Sequence, residues 1–232
     1  VVIGIDSEKS KKIMQEVYHP LYPQETPIVF TGFETAEIIK YASNSFLATK
    51  ISFINEVADL CEATGANVQE VAKAMGIDKR IGSKFLQAGP GFGGSCFPKD
   101  VKAFSATAKK FNLEFSVVDA VHLSNQKRPL KIVSKISKYY NDDLKDIVLT
   151  MLGLSFKSNT DDIRDSTSLI IAKELLKKGA KLQVYDPAAM NNAKKEIGEL
   201  NCCDNLYDAC KQSSGLIIAT EWNEFRSLDL DR

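Results

Sequence analysis

Between Thr35 and Thr64 the residues Ile38, Ile39, Phe46, Leu47, Ile51, Ile54, Val57, Ala58 and Cys61 return near helical spacing. The spacing predicts one helix of about 30 residues, where globular helices average about 11–12. A helix of that length predicts the spine of a helical domain. It is apolar over more than one face. That pattern fits a surface shared with a second copy of the chain, and equally the buried central helix of a monomer.

Residues 1–5 and 28–30 predict short strands, residues 8–18 a helix, and residues 19–27, with their prolines, a connection. Residues 68–75 predict a helix opened by Asn67 and closed by Gly76. Residues 85–100 are rich in glycine and predict a loop. Residues 101–111 predict a further helix, and residues 116–140 a long amphipathic stretch interrupted by Pro129. After Asn141 the character changes. IVLTMLGLSF is a continuous apolar run, as a strand buried on both faces requires. A helix over 167–178 closed by Gly179, a strand KLQVYDP, helices over 188–200 and 206–211, and a strand GLIIAT follow. Alternating strands and helices imply a parallel, doubly wound sheet. The expected fold is mixed α/β, with a central all-helical dimerisation domain over residues 31–140 and a C-terminal Rossmann-like sheet over 141–232.

Lys plus Arg number 30 and Asp plus Glu number 30, so the formal charge is zero. That balance removes the electrostatic case for a nucleic-acid or anionic-membrane partner. No apolar run approaches the ~18 residues of a membrane helix. The opening VVIGIDSEKSKK has its charges after its apolar residues, the reverse of a signal peptide. Cys61, Cys96, Cys202, Cys203 and Cys210 form no CxxC pair, so no zinc pattern and no metal is expected. A reduced, cytoplasmic protein is the simplest reading.

The loop GPGFGGSCFPKD contains a literal G-x-G-x-x-G at Gly89, Gly91 and Gly94. A dinucleotide fingerprint needs a hydrophobic strand just before it, and SKFLQA does not supply one. The glycines instead predict close approach of backbone to a ligand, or positive φ. Cys96 ends the glycine run, with Lys99 and Asp100 just beyond. A nearby cation or helix N-terminus raises the thiolate population of such a thiol. The plain alternative is a structural cysteine, and that reading is kept for the other four. Lys40 and Asn44 lie one helical turn apart on one face and could polarise an oxygen or order a water; exposed Lys/Asn pairs are also common on ordinary surfaces. Lys157 follows the first strand of the second half, where open α/β sheets bind ligands. Arg164, among Asp161, Asp162 and Asp165, also reads as surface charge neutralisation, and Arg80 is ambiguous.

Together these segments resemble the UDP-glucose dehydrogenase family. AEIIKYASNSFLATKISFINE resembles its helical spine, GIDKRIGSKFLQAGPGFGGSCFPKD its catalytic loop, and LGLSFKSNTDDIRDS its nucleotide-sugar segment. The resemblance covers essentially the whole chain, and its motifs occur in order. It implies that Cys96 attacks the C6 aldehyde, giving a thiohemiacetal and then a thioester. Lys40 and Asn44 would contact the sugar, stabilise oxyanions and place the hydrolytic water, with Asp100 assisting as base. Phe85, Leu86, Gln87, Ala88, Gly89 and Gly93, with Phe156 and Lys157, would hold UDP-glucose. Arg80 would reach across a homodimer formed through the long helix. Lys99, Arg164 and Cys96 would approach NAD. The product would be UDP-glucuronate, which places the chain in polysaccharide biosynthesis. The FPKD and KRIG segments favour UDP-glucose over UDP-N-acetylmannosamine or GDP-mannose.

The family begins with an NAD-binding domain carrying its own G-x-G-x-x-G after a strand, and this chain shows no such strand-borne motif. Residues 1–30 would be the last fragment of that domain. Catalytic residues from it, and an arginine from the far C-terminal segment, would be missing too. The expectation is that this polypeptide by itself does not turn over UDP-glucose; steady NADH formation by the isolated chain would overturn it. A rival reading leaves Cys96 inert and makes the chain a nucleotide-sugar-binding or dimerisation module.

Overall fold

The structure is a computed structural model that describes residues 1–21, 27–198 and 200–229. The expected connection over 19–27 and the helix expected over 188–200 therefore lie partly outside the described residues. Strand β1 (Val2–Gly4) pairs in parallel with β2 (Val29–Thr31), and α1 (Glu8–Tyr18) lies between them in sequence. Ser7 caps α1 by accepting from the Ser10 N–H at 3.2 Å.

The long stretch is one helix, α2 (Phe33–Thr64). It ends where Gly65 takes a left-handed φ of 77° and the Ala66 N–H bonds back to the Cys61 carbonyl at 2.9 Å. Phe46, Phe53 and Leu60, spaced by sevens, are more than half exposed, so α2 is not a helix buried on all sides. The next helix, α3 (Val68–Ile77), is capped by Asn67 as expected. Gly76 does not close it. A side chain there would strike Ser83, whose Cα is 2.8 Å from the position of a Cβ. Gly76 serves close packing within the helix, and a break at that glycine was the wrong inference.

Helix α4 (Phe97–Lys110) begins four residues earlier than expected, inside the segment read as loop. Pro98 marks the start, since proline suits a first turn whose N–H groups have no helical acceptor. Helix α5 (Ser116–Tyr139) runs through Pro129 without the expected interruption. The proline forgoes one bond, to the Asn125 carbonyl, but Val118, Val121 and Val133 are buried on either side of it, and that packing decides the outcome.

Strand β3 (Val148–Leu152) occupies only half of the apolar run, because Gly153 turns the chain with a φ of 93°. Helix α6 (Thr167–Lys177), β4 (Lys181–Tyr185), α7 (Met190–Glu196), β5 (Asn201–Cys202), α8 (Leu206–Cys210), β6 (Gly215–Ile218) and α9 (Asn223–Arg226) follow. Elements as short as β5 and α9 hold too few residues to show a period and were not foreseen. The strands are parallel in the order β5-β4-β3-β6. The chain thus steps outward to one side of β3 and then crosses to the other, which confirms the mixed α/β, doubly wound reading. Leu149 and Met151 of β3, Val184 of β4, Ile171 and Leu175 of α6 and Val133 of α5 form the sheet's core. Each such side chain contributes about 1.5–3 kcal/mol on full burial. A second core, with Ala48, Val101 and Val121, joins α2, α4 and α5. Helix α5 therefore belongs to both.

Candidate active site

Helix α2 presents Lys40 and Asn44 to the first turn of α4. There the Asp100 carboxylate is 1% exposed and gathers two hydrogen-bond donors and a further cation. Asn44 Nδ2 donates to Oδ2 at 2.5 Å, Lys99 Nζ donates to Oδ1 at 2.7 Å, and Lys40 Nζ stands 3.8 Å from Oδ2. Burial alone raises this carboxyl. The bonds from Lys99 and Asn44, with the charges of Lys99 and Lys40, outweigh it and hold Asp100 below the usual carboxylate range. The two catalytic candidates on α2 thus meet the one on α4, Asn44 through a hydrogen bond and Lys40 through an ion pair.

Cys96 is the residue immediately before α4, and its side chain is exposed. The Asp100 N–H bonds to its carbonyl at 2.9 Å, which fixes its backbone to the carboxylate's own residue. Its sulfur lies 3.9 Å from Ser95 Oγ. Lys99 is raised chiefly by its bond to Asp100, and Arg164 chiefly by its bond to Asp162; Cys96 is a lesser contributor to both. The sulfur therefore sits within electrostatic reach of two cations. Arg164 is held by Asp162 at 2.6 Å, and its carbonyl accepts from the Gly94 N–H at 2.8 Å.

Beside this unit opens a cleft of about 750 Å³. One wall is the loop containing Phe85, Gln87, Ala88, Gly89 and Gly93. The other is the carboxyl end of the sheet, with Phe156 and Lys157 after β3, and Ile218 at the end of β6 followed by Ala219 to Glu221. Because β3 and β6 are adjacent while the chain winds away on opposite sides of them, this is a topological switch point, where doubly wound sheets take ligands. Phe97, the neighbour of Cys96, lines the cleft and packs edge-on to Phe85 and Phe92, with centroids 6.1 and 5.8 Å apart. It joins the cysteine to the cleft.

Most residues expected to hold substrate line this cleft. Leu86 does not, because its side chain is buried in the protein. Arg80 lies outside the cleft as well, bound by Asp78 at 2.6 Å and 89% exposed, and Lys40 and Asn44, also expected to contact the sugar, do not line it either. The wall after β6 was missed, although the end of GLIIAT beside β3 would have marked it. The glycines do less for a ligand than expected. A Cβ on Gly93 would lie 2.3 Å from the Asp165 carbonyl oxygen, and one on Gly94 2.6 Å from the Phe156 ring. Gly91 and Gly94 do take the expected positive φ, 114° and 80°. No strand precedes them, so their G-x-G-x-x-G is not a dinucleotide turn. Among the described residues no cluster of His, Cys, Asp or Glu could hold a metal ion, and no helix is long and apolar enough to cross a membrane.

The sequence profile of the UDP-glucose/GDP-mannose dehydrogenase family, central domain, matches residues 34–127, and that of the same family's UDP binding domain matches residues 150–232. The chain belongs to this family. It is 48% identical to a UDP-glucose 6-dehydrogenase of Rhizobium meliloti over the whole of this chain and 54% of that protein. It is 45% identical to one of Rickettsia felis over 99% of this chain and 52% of that protein. The structure of a UDP-glucose dehydrogenase from Pyrobaculum islandicum superposes with a TM-score of 0.93 at 38% identity, covering 98% of this chain and 52% of that one. The chain thus spans about half the length of the relatives it matches. The family's central-domain match contains the Lys40, Asn44, Cys96 and Asp100 unit, and its UDP binding domain contributes the sheet wall of the cleft.

Proposed function

We propose that this chain carries the nucleophile and the UDP-sugar site for NAD-dependent oxidation of UDP-glucose to UDP-glucuronate. The observation that carries this reading is that Cys96, backbone-bonded to Asp100 of the Asn44–Lys40 group, adjoins Phe97, which lines a cleft at the sheet's switch point. The relatives named UDP-glucose 6-dehydrogenase support the choice of sugar.

Turning a primary alcohol into an acid requires an aldehyde carbon to lose a second hydride. Addition of the Cys96 sulfur to that carbon makes a thiohemiacetal, from which hydride loss leaves a thioester. Water then attacks the thioester, and the acid and the Cys96 thiolate depart. Lys40 and Asn44 are the groups that would stabilise the oxygen taking up negative charge in both tetrahedral adducts. Asp100 is ionised at neutral pH but is a weak base, so its stronger contribution is to keep Asn44 and Lys40 aimed. NAD, when bound, supplies the acceptor for both hydrides. Lys99 and Arg164, two cations beside the exposed sulfur, fit an anionic dinucleotide approaching from that side. The exposed row Phe46, Phe53 and Leu60 on α2 supports a homodimer through that helix. Five free cysteines support a reducing, cytoplasmic setting.

Lys157 provides the test. Among the described residues it has no ion pair, and its Nζ lies 5.5 Å from the Phe156 ring centroid at the cleft wall. It is free to take a diphosphate. Calorimetry of the 232-residue chain with UDP is expected to show binding, weakened about 10- to 100-fold by Lys157→Ala, the worth of one hydrogen bond to a charged group. UDP-glucose is expected to compete better than UDP-N-acetylmannosamine or GDP-mannose. Equal affinity of wild type and variant would remove the cleft from the reading.

A further inference from the structure

Four backbone groups of the cleft loop are held by side chains rather than by secondary structure. The Gly89 N–H donates to Asn55 Oδ1 at 2.8 Å, and the Gly89 carbonyl accepts from Arg128 Nε at 2.8 Å. The Phe92 N–H donates to Asn125 Oδ1 at 2.8 Å, and the Phe92 carbonyl accepts from Asn125 Nδ2 at 2.9 Å. One amide side chain thus exchanges both bonds with one residue, as paired residues do in an antiparallel sheet. A Cβ on Gly91 would sit 2.7 Å from Asn125 Oδ1, so the clamp needs a glycine there as well as its φ of 114°.

Arg128 is itself locked. Its Nη1 donates to the Asp59 carboxylate and, at 3.2 Å, to the Asn55 carbonyl, and Lys131 takes the other Asp59 oxygen at 2.6 Å. Its side chain is only 14% exposed. Burial raises the Asp59 carboxyl, but its bonds to Lys131 and Arg128 and their charges outweigh that and hold it low. Asn55, Asp59, Asn125 and Arg128 do not line the cleft, so they act on it through the loop. Helix α5 then continues to the other wall. Its Val133 enters the sheet core, and Tyr140, just past its end, donates to the Ser214 carbonyl at 2.7 Å, immediately before β6.

We propose that Asn125 and Arg128 are positioning residues of the nucleotide-sugar site, locking Gly89 and Phe92 so that the loop between and before them faces the sheet wall before any ligand arrives. The proposal rests on the reading of the cleft as that site. A loop ordered in advance spares the ligand the entropy of ordering it, and that saving appears as affinity.

The test uses Asn125→Asp, Arg128→Gln and Arg128→Lys in the 232-residue chain, with two measurements. Asn125→Asp keeps the acceptor for the Phe92 N–H and loses the donor to its carbonyl. UDP is expected to bind on the order of tenfold more weakly to Asn125→Asp and Arg128→Gln, with Arg128→Lys in between. Backbone hydrogen exchange is expected to quicken over residues 87–93 while α2 and α5 stay protected. Wild-type affinity with wild-type exchange in that loop overturns the proposal. So does exchange that rises evenly along α2 and α5, which marks a purely structural role. If the wild-type chain does not bind UDP, the functional reading fails, and loop exchange still decides whether these two residues hold the loop.

Discussion

Replacing Cys96 with serine is expected to lower UDP-glucose turnover by on the order of 10⁴-fold or more in the enzyme that contains this chain, as loss of a nucleophile does elsewhere. UDP affinity is expected to stay within about twofold, since the cleft is lined by its neighbour Phe97 and not by Cys96. The change is small in structural terms. The side chain is exposed and makes one long contact, 3.9 Å to Ser95 Oγ, so little packing is lost. The lost quantity is chemical. A serine hydroxyl is ionised far less than a thiol at neutral pH, and its ester is a poorer acyl donor to water than a thioester. Alkylation gives an independent check on the chain alone. Cys61 is buried, and Cys202 and Cys203 are raised chiefly by burial, so iodoacetamide is expected to label Cys96 before any of them. Unchanged turnover in Cys96→Ser would end the nucleophile assignment, and labelling of Cys202 or Cys203 first would count against it.

The periodic parts of this chain were legible because burial writes a period into the sequence. The α2 stripe and the β3 and β4 runs are long enough to show it, and both sheet and spine follow from them. Boundaries failed where one residue served two purposes. Gly76 reads as a helix end, yet it stays helical because Ser83 packs where its side chain would be. Pro129 reads as a break, yet buried valines on either side carry α5 through it. Phe97 reads as loop because the glycines before it dominate the local composition, while Pro98 marks the start of α4.

The site was legible to a different degree in each half. Lys40 and Asn44 could be placed on one face by helical spacing, but nothing in that spacing says that the face meets Asp100, because the contact spans 56 residues. The three side chains that hold the cleft loop, and the Asp59 carboxylate that locks one of them, left no local signal at all. Asn55, Asp59, Asn125 and Arg128 look like ordinary polar residues of amphipathic helices until α2 and α5 lie side by side. The glycines read as sites of ligand approach or of positive φ, and Gly91 and Gly94 take that φ, whereas Gly93 and Gly94 also accommodate Asp165 and Phe156 of the same chain. What a composition-rich loop announces is a crowded place, and only the fold tells which atoms do the crowding.

Asp100→Asn tests the centre of that crowding through both activity and acid stability. The carboxylate is 1% exposed, accepts from Asn44 and Lys99, and has Lys40 as a further cation at 3.8 Å. An asparagine there can accept from one side only, so its own NH₂ must face either Asn44 Nδ2 or Lys99 Nζ. The lysines are 62% and 69% exposed and lose little, since water replaces their partner. Whichever way the new asparagine turns, one buried amide NH₂, that of Asn44 or its own, is left without an acceptor, and the variant is expected to cost about 1–3 kcal/mol of stability at neutral pH. Turnover is expected to fall by about 100-fold or more, because Asn44 and Lys40 lose the group that aims them. The pH dependence carries its own sign. Asp100 has a folded value below that of the unfolded chain, about 3.9. Its stabilisation is therefore full above that unfolded value and is lost as pH falls through the lower folded one. Urea unfolding measured at intervals from pH 7 down to pH 3 should show wild-type stability dropping towards the variant's at the acid end, with the gap widest above about pH 5. Curves that run parallel over the whole range would mean that Asp100 does not carry the charge on which Asn44 and Lys40 are hung.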